Sequence, residues 1–226
     1  MTQPTRKPVL FVLTSYSDVA HNISGFYFSE LVHPLHVLEQ AGIPGVLASI
    51  QGGLPPVYGV DLDDDVNARY WNDDAFQQRL SHTLKLSDTR SDDYSAVLFV
   101  GGHGTMWDFP DCPDVQRLIR DLYEADKPVA AVCHGPAALV NATLSDGRYL
   151  VDGKRVAAFT DAEEHAVKLA EVVPFLLETT LKKRGALHQA VGEWQPLTLV
   201  DGNLITGQNP QSATGVGEAL RDKLNG

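Results

Sequence analysis

The sequence is poor in cysteine and in basic residues, and each shortage argues against a class of protein. Only two cysteines occur among the 226 residues, Cys112 and Cys133, so a disulfide framework is not expected. Acidic residues outnumber basic ones by 29 to 18, a net charge of −11. This excess argues against nucleic acid or an anionic membrane as the main partner, and we interpret it as a source of solubility.

Long apolar stretches are missing as well. No run approaches the ~18 apolar residues that a membrane-spanning helix needs. The polar start, residues 1–7, leads into an apolar segment without the features of a signal peptide. We therefore expect a cytoplasmic protein, and the length suits a single domain over residues 1–226.

Four short apolar runs each end in turn residues, which is typical of strands buried on both faces of a sheet. They are residues 9–13, 46–50, 96–100 and 129–132. Between them, apolar residues recur at helical spacing from Phe28 to Leu38 and from Val115 to Leu122. This alternation predicts an α/β fold with a parallel sheet covered by helices on both faces.

The pattern changes after Leu139. Turn dipeptides at residues 146–147, 152–153 and 201–202 separate short apolar stretches, which favours hairpins or added edge strands. A helix is predicted over residues 173–184, ended by Gly185, and a last helix from an N-cap at Ser212 to the end of the chain. Residues 52–74, rich in Gly, Pro and Asp, are typical of a lid or substrate loop.

Cys133 lies between the fourth apolar run and a predicted helix, followed by His134, Gly135 and Pro136. Small flanking residues and a sharp strand-to-helix turn are the layout of a nucleophile elbow. The helix N-terminus is expected to favour the thiolate and to lower the pKa of Cys133. An inert buried cysteine is the alternative, and it is the preferred interpretation of Cys112, which has no candidate base beside it.

Two further residues could serve a thiol nucleophile. His134 is the candidate acid–base partner, with satisfaction of local backbone groups as the alternative. Glu30 follows the first apolar run, and Pro34 lacks the N–H that would bond the Glu30 carbonyl. The loosened helix start is expected to let the carboxylate lean over the sheet end, where ligands bind in such folds. By its sequence position alone, however, Glu30 is an ordinary first-turn glutamate.

Glycines surround His103 after the third apolar run. Gly102, His103 and Gly104 are candidates for an oxyanion site, because glycines let backbone N–H groups approach a substrate oxygen. A turn that merely ends a strand is the alternative. No Gly-Lys-Ser/Thr follows, which excludes a P-loop.

Three carboxylates, Asp161, Glu163 and Glu164, follow another apolar segment. One of them could orient His134, or all three could begin a solvated helix. His33 and His36 share a predicted helix face with Glu30, but the sequence has no zinc-site or EF-hand spacing, so neither a metal nor another cofactor is expected.

The motifs described above resemble the class I glutamine amidotransferase-like proteins of the PfpI type. Within them, they are most similar to the branch of cofactor-independent glyoxalase III and the thirty-one-kilodalton heat-shock chaperone. The matching segments are residues 24–30, 33–34, 101–104, 107–108, 131–136, 159–164 and 206–210. A glutamine amidotransferase would also carry a distal His-Pro-Glu, which this sequence lacks.

The resemblance implies a flavodoxin-like, doubly wound and mostly parallel sheet with small added hairpins, and frequent homodimerisation. It also implies a triad of Cys133, His134 and an acid, which maps best to Glu164. Glu30 would hydrogen-bond the sulfur.

The activity implied is conversion of a 2-oxoaldehyde such as methylglyoxal, with water, into D-lactate without glutathione or metal. The Cys133 thiolate would add to the aldehyde, and Glu30 or His134 would move the proton. A protein deglycase or peptidase with the same nucleophile is one alternative. A stress-related holding chaperone, with Cys133 as a redox sensor, is another.

Overall fold

Short strands and helices alternate along the chain in the computed structural model, which describes residues 6–18 and 23–226. The strands are β1 (Val9–Leu13), β2 (Ser17–Asp18), β3 (Ile23–Ser24), β4 (Phe26–Tyr27), β5 (Gly45–Ser49), β6 (Val57–Tyr58), β7 (Leu84–Lys85), β8 (Ala96–Phe99), β9 (Val129–Val132), β10 (Arg155–Val156), β11 (Leu187–His188), β12 (Thr198–Asp201) and β13 (Leu204–Gly207). The α-helices are α1 (Phe28–Gln40), α2 (Asp65–Trp71), α3 (Asp74–Ser81), α4 (Thr105–Asp108), α5 (Pro113–Glu124), α6 (Asp161–Ala166), α7 (Leu177–Lys183) and α8 (Ala213–Asn225).

Seven strands form the central sheet, in the order β12-β13-β9-β8-β1-β5-β7. All neighbouring strands run parallel except β12 and β13, which form an antiparallel edge pair. The chain winds from β1 toward β5 and β7 and then returns to place β8 on the other side of β1. The predicted α/β fold with a mostly parallel sheet is therefore confirmed.

Alternate residues of the strands face opposite layers of the core. On β8, Val97 and Phe99 belong to the cluster that contains the apolar face of α5. Leu98 and Val100 belong to the cluster of the opposite face, which contains the buried residues of α1 and α8. The four predicted strands consist almost wholly of buried residues because both faces of the sheet are covered.

Two predicted helix boundaries differ from the structure. Helix α7 begins at Leu177 rather than at residue 173. Pro174 accounts for the exclusion of residue 173, because it disfavours helical backbone in the residue before it. Gly185 ends this helix as predicted, with φ +92°. Ser212 precedes α8, but it caps no helical N–H: its hydroxyl donates to Oδ1 of Asn209 at 2.9 Å.

The predicted turn dipeptides differ in whether they form hairpins. Residues 201–202 join β12 to β13 in the predicted hairpin, and residues 146–147 lie inside a small turn closed by an antiparallel bridge from Thr143 to Tyr149. Residues 152–153, where a hairpin or an added edge strand is expected, form no hairpin, because β10 pairs in parallel with β11. The 52–74 segment contains β6 and α2. None of the helices in the described ranges combines the length and apolar character needed to cross a bilayer.

Candidate active site

The carboxyl ends of β1, β8 and β9 bring three predicted residues to one place. Glu30 projects from the first turn of α1, His103 follows β8, and Cys133 follows β9. These strands are neighbours at the centre of the sheet, beside the point where the winding direction reverses. This is the crevice in which open α/β sheets bind ligands.

Cys133 occupies a strained turn between β9 and a short 3₁₀-helix over Gly135–Leu139. Its φ is +60°, a left-handed conformation that non-glycine residues seldom adopt. A β-carbon on residue 135 would lie 2.2 Å from the carbonyl oxygen of Phe99, so only glycine fits there. The structure thus has the strand, strained nucleophile and tight turn of a nucleophile elbow.

A hydrogen-bonded chain links Cys133 to a buried carboxylate. The sulfur lies 3.4 Å from Nδ1 of His134, and Nε2 of His134 lies 2.7 Å from Oε2 of Glu164. Because an ionised carboxylate only accepts, Nε2 carries the proton and Nδ1 is left to accept the thiol hydrogen. This arrangement is that of a Cys–His–Glu triad.

Burial sets the charge states of this chain. Burial lowers the pKa of His134 to about 4, with the nearby His103 adding to the effect, so the imidazole is neutral at pH 7. Burial by itself would raise the pKa of Glu164, but the charges and hydrogen bonds of His134 and His103 together outweigh it and lower the pKa to about 2. The acid is therefore ionised, and it can stabilise an imidazolium that forms during a reaction.

Glu30 and Cys133 form a second buried acid pair. The Cys133 thiol and the Gly101 N–H are the polar groups that face the Glu30 carboxyl. Neither carboxyl oxygen has a hydrogen-bond partner of standard geometry among the described residues. Burial raises the pKa of Glu30 to about 8, so this carboxyl carries a proton at neutral pH.

The sequence predicts a lowered pKa for Cys133, and this prediction is wrong. Burial raises it well above the usual value, and the neighbouring Glu30 raises it further. The N–H of His134 acts in the expected direction but is outweighed. The 3₁₀-helix after the elbow is too short to supply a large dipole. Because each anion disfavours the other, the Glu30–Cys133 pair carries at most one negative charge at neutral pH.

The three candidate acids lie in different surroundings. Glu164 is the one that contacts His134. Glu163 accepts hydrogen bonds from Thr160, Trp194, Gln208 and Asn209, and so joins three segments of chain. Asp161 accepts from the backbone and side chain of Thr179 in α7. Glu163 and Asp161 thus hold neighbouring segments rather than the histidine.

The glycine-rich turn offers fewer oxyanion donors than the sequence predicts. The N–H of Gly104 donates to the carbonyl of Gly25 at 3.2 Å, and that of His103 donates to the hydroxyl of Tyr58 at 3.2 Å. Both groups are therefore already occupied. Within the described ranges, only the N–H of Gly102 among these three has no hydrogen-bond partner, so it is the one that stays a candidate oxyanion donor.

Three aromatic side chains, those of Tyr58, Phe159 and Trp194, also lie at the site. The hydroxyl of Tyr58 lies 3.2 Å from Nδ1 of His103. The ring of Phe159 lies 4.3 Å from that of His134 and 5.8 Å from the indole of Trp194. Tyr58 lies in the 52–74 segment that the sequence marks as a lid or substrate loop, but no periodic pattern singles out this residue or Trp194 within its segment.

Other candidates lie outside this chain of contacts. Cys112 is half-buried at the start of α5, and His33 hydrogen-bonds Asp64. In the described part of the chain, one group has donors suited to a metal, namely His103, His134 and Glu164, whose ligand atoms lie within 4.8 Å of one another. Both Nε2 atoms already hydrogen-bond to the carboxylate.

Comparison with known proteins places this chain in a family. The sequence profile of the DJ-1/PfpI family matches residues 22–221. The chain belongs to the DJ-1/PfpI family. Two similar members are Glyoxalase 3 of Candida albicans, 32% identical over 93% of this chain and 95% of that protein, and the glutathione-independent glyoxalase HSP31 of Saccharomyces cerevisiae, 32% identical over 92% and 93%.

Solved structures of DJ-1/PfpI-type proteins share the whole architecture. Rapid Encystment Protein 24 kDa of Francisella tularensis superposes with a TM-score of 0.92 at 36% identity, covering 96% of this chain and 99% of its own. Glyoxalase III of Candida albicans superposes with a TM-score of 0.88 at 29% identity, covering 96% of both chains.

Proposed function

We propose that this protein is a glutathione-independent glyoxalase that converts a 2-oxoaldehyde such as methylglyoxal, with water, into D-lactate. The observation that carries the proposal is the buried Cys133–His134–Glu164 chain with the protonated carboxyl of Glu30 beside the sulfur. Two relatives that match over more than nine tenths of their length are named for this activity.

The first step joins the sulfur to the substrate. The thiol of Cys133 gives its proton to Nδ1 of His134, and the imidazolium is stabilised by Glu164. The sulfur adds to the aldehyde carbon C1 and forms a hemithioacetal oxyanion, which the N–H of Gly102 can bind. Glu30 then protonates this oxygen, which leaves Glu30 as a carboxylate beside C1.

The second step moves hydrogen from C1 to C2. The Glu30 carboxylate takes the C1 proton while the His134 imidazolium protonates the C2 oxygen, giving an enediol. Glu30 returns the proton to C2 and takes the proton from the C1 oxygen, so that a thioester remains. C1 is thereby oxidised by two electrons and C2 is reduced by two, and no external oxidant is needed.

Hydrolysis completes the cycle. His134 removes a proton from water, which attacks the thioester, and then returns that proton to the departing sulfur of Cys133. The products are the hydroxy acid and the original thiol, with Glu30 protonated again. Atoms balance as one 2-oxoaldehyde plus one water.

The test follows the loss of methylglyoxal and the appearance of D-lactate without glutathione and with a chelator present. Wild type and Cys112→Ala, which alters the half-buried cysteine outside the site, should turn over equally. Cys133→Ala should produce no D-lactate. A wild-type rate in Cys133→Ala would refute the mechanism. Absence of turnover in all three proteins would leave the deglycase, peptidase and chaperone hypotheses.

We also propose that the protein works in the cytoplasm as a homodimer, which the family resemblance supports. The chain has a mass of 24.6 kDa. Light scattering on the protein as it elutes from a size-exclusion column should therefore give about twice this mass, and a value equal to one chain would refute the dimer.

A further inference from the structure

Tyr58 is fixed at the edge of the candidate site by a short strand pair. It belongs to β6, which runs parallel to β4 with Tyr27 as the partner of Tyr58. The two rings meet edge to face at 5.3 Å. The segment that the sequence marks as a lid or substrate loop is thus anchored where its tyrosine approaches His103.

The Tyr58 hydroxyl has two polar contacts with His103. The backbone N–H of His103 donates to the Tyr58 oxygen at 3.2 Å. Nδ1 of the same histidine lies 3.2 Å from that oxygen. Burial raises the pKa of Tyr58, with the charges of Cys133 and Glu30 adding to it, so the phenol keeps its proton. Nε2 of His103 faces the Glu164 carboxylate, which only accepts, so Nδ1 of a neutral His103 is left to accept the proton of the Tyr58 hydroxyl.

The Tyr58 hydroxyl and the Glu164 carboxylate favour the same tautomer of His103. A neutral imidazole that accepts at Nδ1 carries its proton on Nε2. Nε2 of His103 lies 2.8 Å from Oε1 of Glu164, so it donates to the carboxylate. With the proton on Nδ1 instead, the lone pair of Nε2 would face the lone pairs of Glu164, and this bond would be lost.

Glu164 is thereby held at both oxygens. His134 donates to Oε2 at 2.7 Å and His103 donates to Oε1 at 2.8 Å. The two imidazole rings lie 4.0 Å apart, centre to centre. A carboxylate bonded at one oxygen alone could rotate away from His134, whereas the second bond fixes its plane.

We propose that Tyr58 is a positioning residue that locks His103 as the Nε2–H tautomer and so holds Glu164 in place for His134. The inference rests on the proposed function for its kinetic consequence, but the tautomer itself is a property of the resting protein. Because the effect falls on the imidazolium formed during the reaction, loss of the hydroxyl should lower kcat and leave KM nearly unchanged.

The test is Tyr58→Phe, which removes one hydroxyl and keeps the ring. Tyr27→Phe is the matched control: it removes a hydroxyl from the neighbouring ring, and in the described structure the imidazole nitrogens of His103 hydrogen-bond only to Tyr58 and Glu164. We expect kcat for methylglyoxal to fall by roughly tenfold in Tyr58→Phe and by less than about twofold in Tyr27→Phe.

The direct readout is the pair of imidazole ¹⁵N chemical shifts of His103 in substrate-free protein, assigned by the loss of its signals in His103→Gln. Wild type and Tyr27→Phe should show a single Nε2–H tautomer, and Tyr58→Phe should show a mixture. A tyrosine that only packs the loop would change stability or KM without changing these shifts.

Three results would overturn the proposal. The first is a proton on Nδ1 of His103 in the wild-type protein, which decides the matter even if Tyr58→Phe does not fold. The second is an unchanged tautomer in a folded Tyr58→Phe, and the third is an unchanged kcat. If wild type does not turn over methylglyoxal, the proposed function fails, while the ¹⁵N shifts still decide the role of Tyr58.

Discussion

A β-carbon on Gly101 would lie 2.2 Å from Oε2 of Glu30, far inside the contact distance of two unbonded atoms. The same β-carbon would lie 2.4 Å from the carbonyl oxygen of Val132 and 3.0 Å from the β-carbon of Cys133. The Glu30 carboxyl therefore reaches the sulfur because residue 101 has no side chain. The first glycine of the glycine-rich turn makes room for the acid.

Gly101→Ala should abolish turnover, because the added methyl displaces Glu30 or the elbow. We expect the free energy of unfolding to fall by about 1–3 kcal/mol from overpacking. Gly42→Ala is the control: Gly42 has φ +72° and open space around its α-carbon, so alanine there costs about 1–2 kcal/mol of backbone strain and no activity. Urea unfolding and methylglyoxal kinetics measure both effects, and a fully active Gly101→Ala would contradict the steric role.

The free energy of unfolding of Glu30→Gln, relative to that of wild type, should be higher at pH 8 than at pH 5. The pKa of Glu30 is raised from 4.5 to about 8 by burial. Between these values the folded protein holds a proton that the unfolded chain has released, so wild-type stability falls as pH rises through this window, by up to about 1.4 kcal/mol per unit. Glutamine does not ionise and avoids this loss. The exposed Glu218→Gln should follow wild type at both pH values in urea titrations; a difference for Glu30→Gln that is independent of pH would refute the raised pKa.

The sequence predicts the centre of the fold better than its margin. Strands such as β9 are recognisable because burial on both faces leaves a continuous apolar run. The helix predicted over 173–184 is too long: its apolar spacing includes residue 173, where Pro174 disfavours helical backbone, and the helix starts only at Leu177. The pairing of β10 with β11 depends on contacts between distant segments, which a turn dipeptide does not encode.

The candidate site likewise has a part that adjacent residues predict and a part that depends on the tertiary structure. Cys133, His134 and Gly135 form a local motif, so their arrangement is readable from adjacent residues. The raised pKa of Cys133 is not, since it depends on how deeply the fold buries the sulfur beside Glu30. Tyr58 reaches the site from an irregular segment, and only the tertiary structure shows its contact with His103.

The adjacent glutamates Glu163 and Glu164 should have separable roles. Glu164→Gln should lower kcat by about a hundredfold or more, because the amide no longer stabilises an imidazolium on His134. It should also lower the free energy of unfolding, because the charge-assisted bonds from His134 and His103 are weakened. Glu163→Gln should lower the free energy of unfolding by about 1.5–3 kcal/mol, because charge-assisted bonds to Trp194 and Asn209 are weakened. Kinetics and urea unfolding of both variants provide the measurement. A stable but inactive Glu163→Gln, paired with an active Glu164→Gln, would reverse the assignment.

At position 194, replacement by glycine should destabilise the protein less than replacement by alanine, which is the reverse of the usual order. Its φ is +61°, and its N–H donates to Glu163 at 3.0 Å, which holds the backbone in the left-handed region. Glycine adopts this conformation without strain, whereas alanine does not, so Trp194→Gly should be more stable than Trp194→Ala by about 1 kcal/mol. At Val191, an exposed position with ordinary φ in the same segment, glycine should instead be the less stable of the two by about 0.5–1 kcal/mol. Urea unfolding of the four variants tests the order. If Trp194→Ala equals or exceeds Trp194→Gly, the hydrogen bond to Glu163 does not enforce the left-handed backbone, and the indole beside Phe159 is held by its ring contact alone.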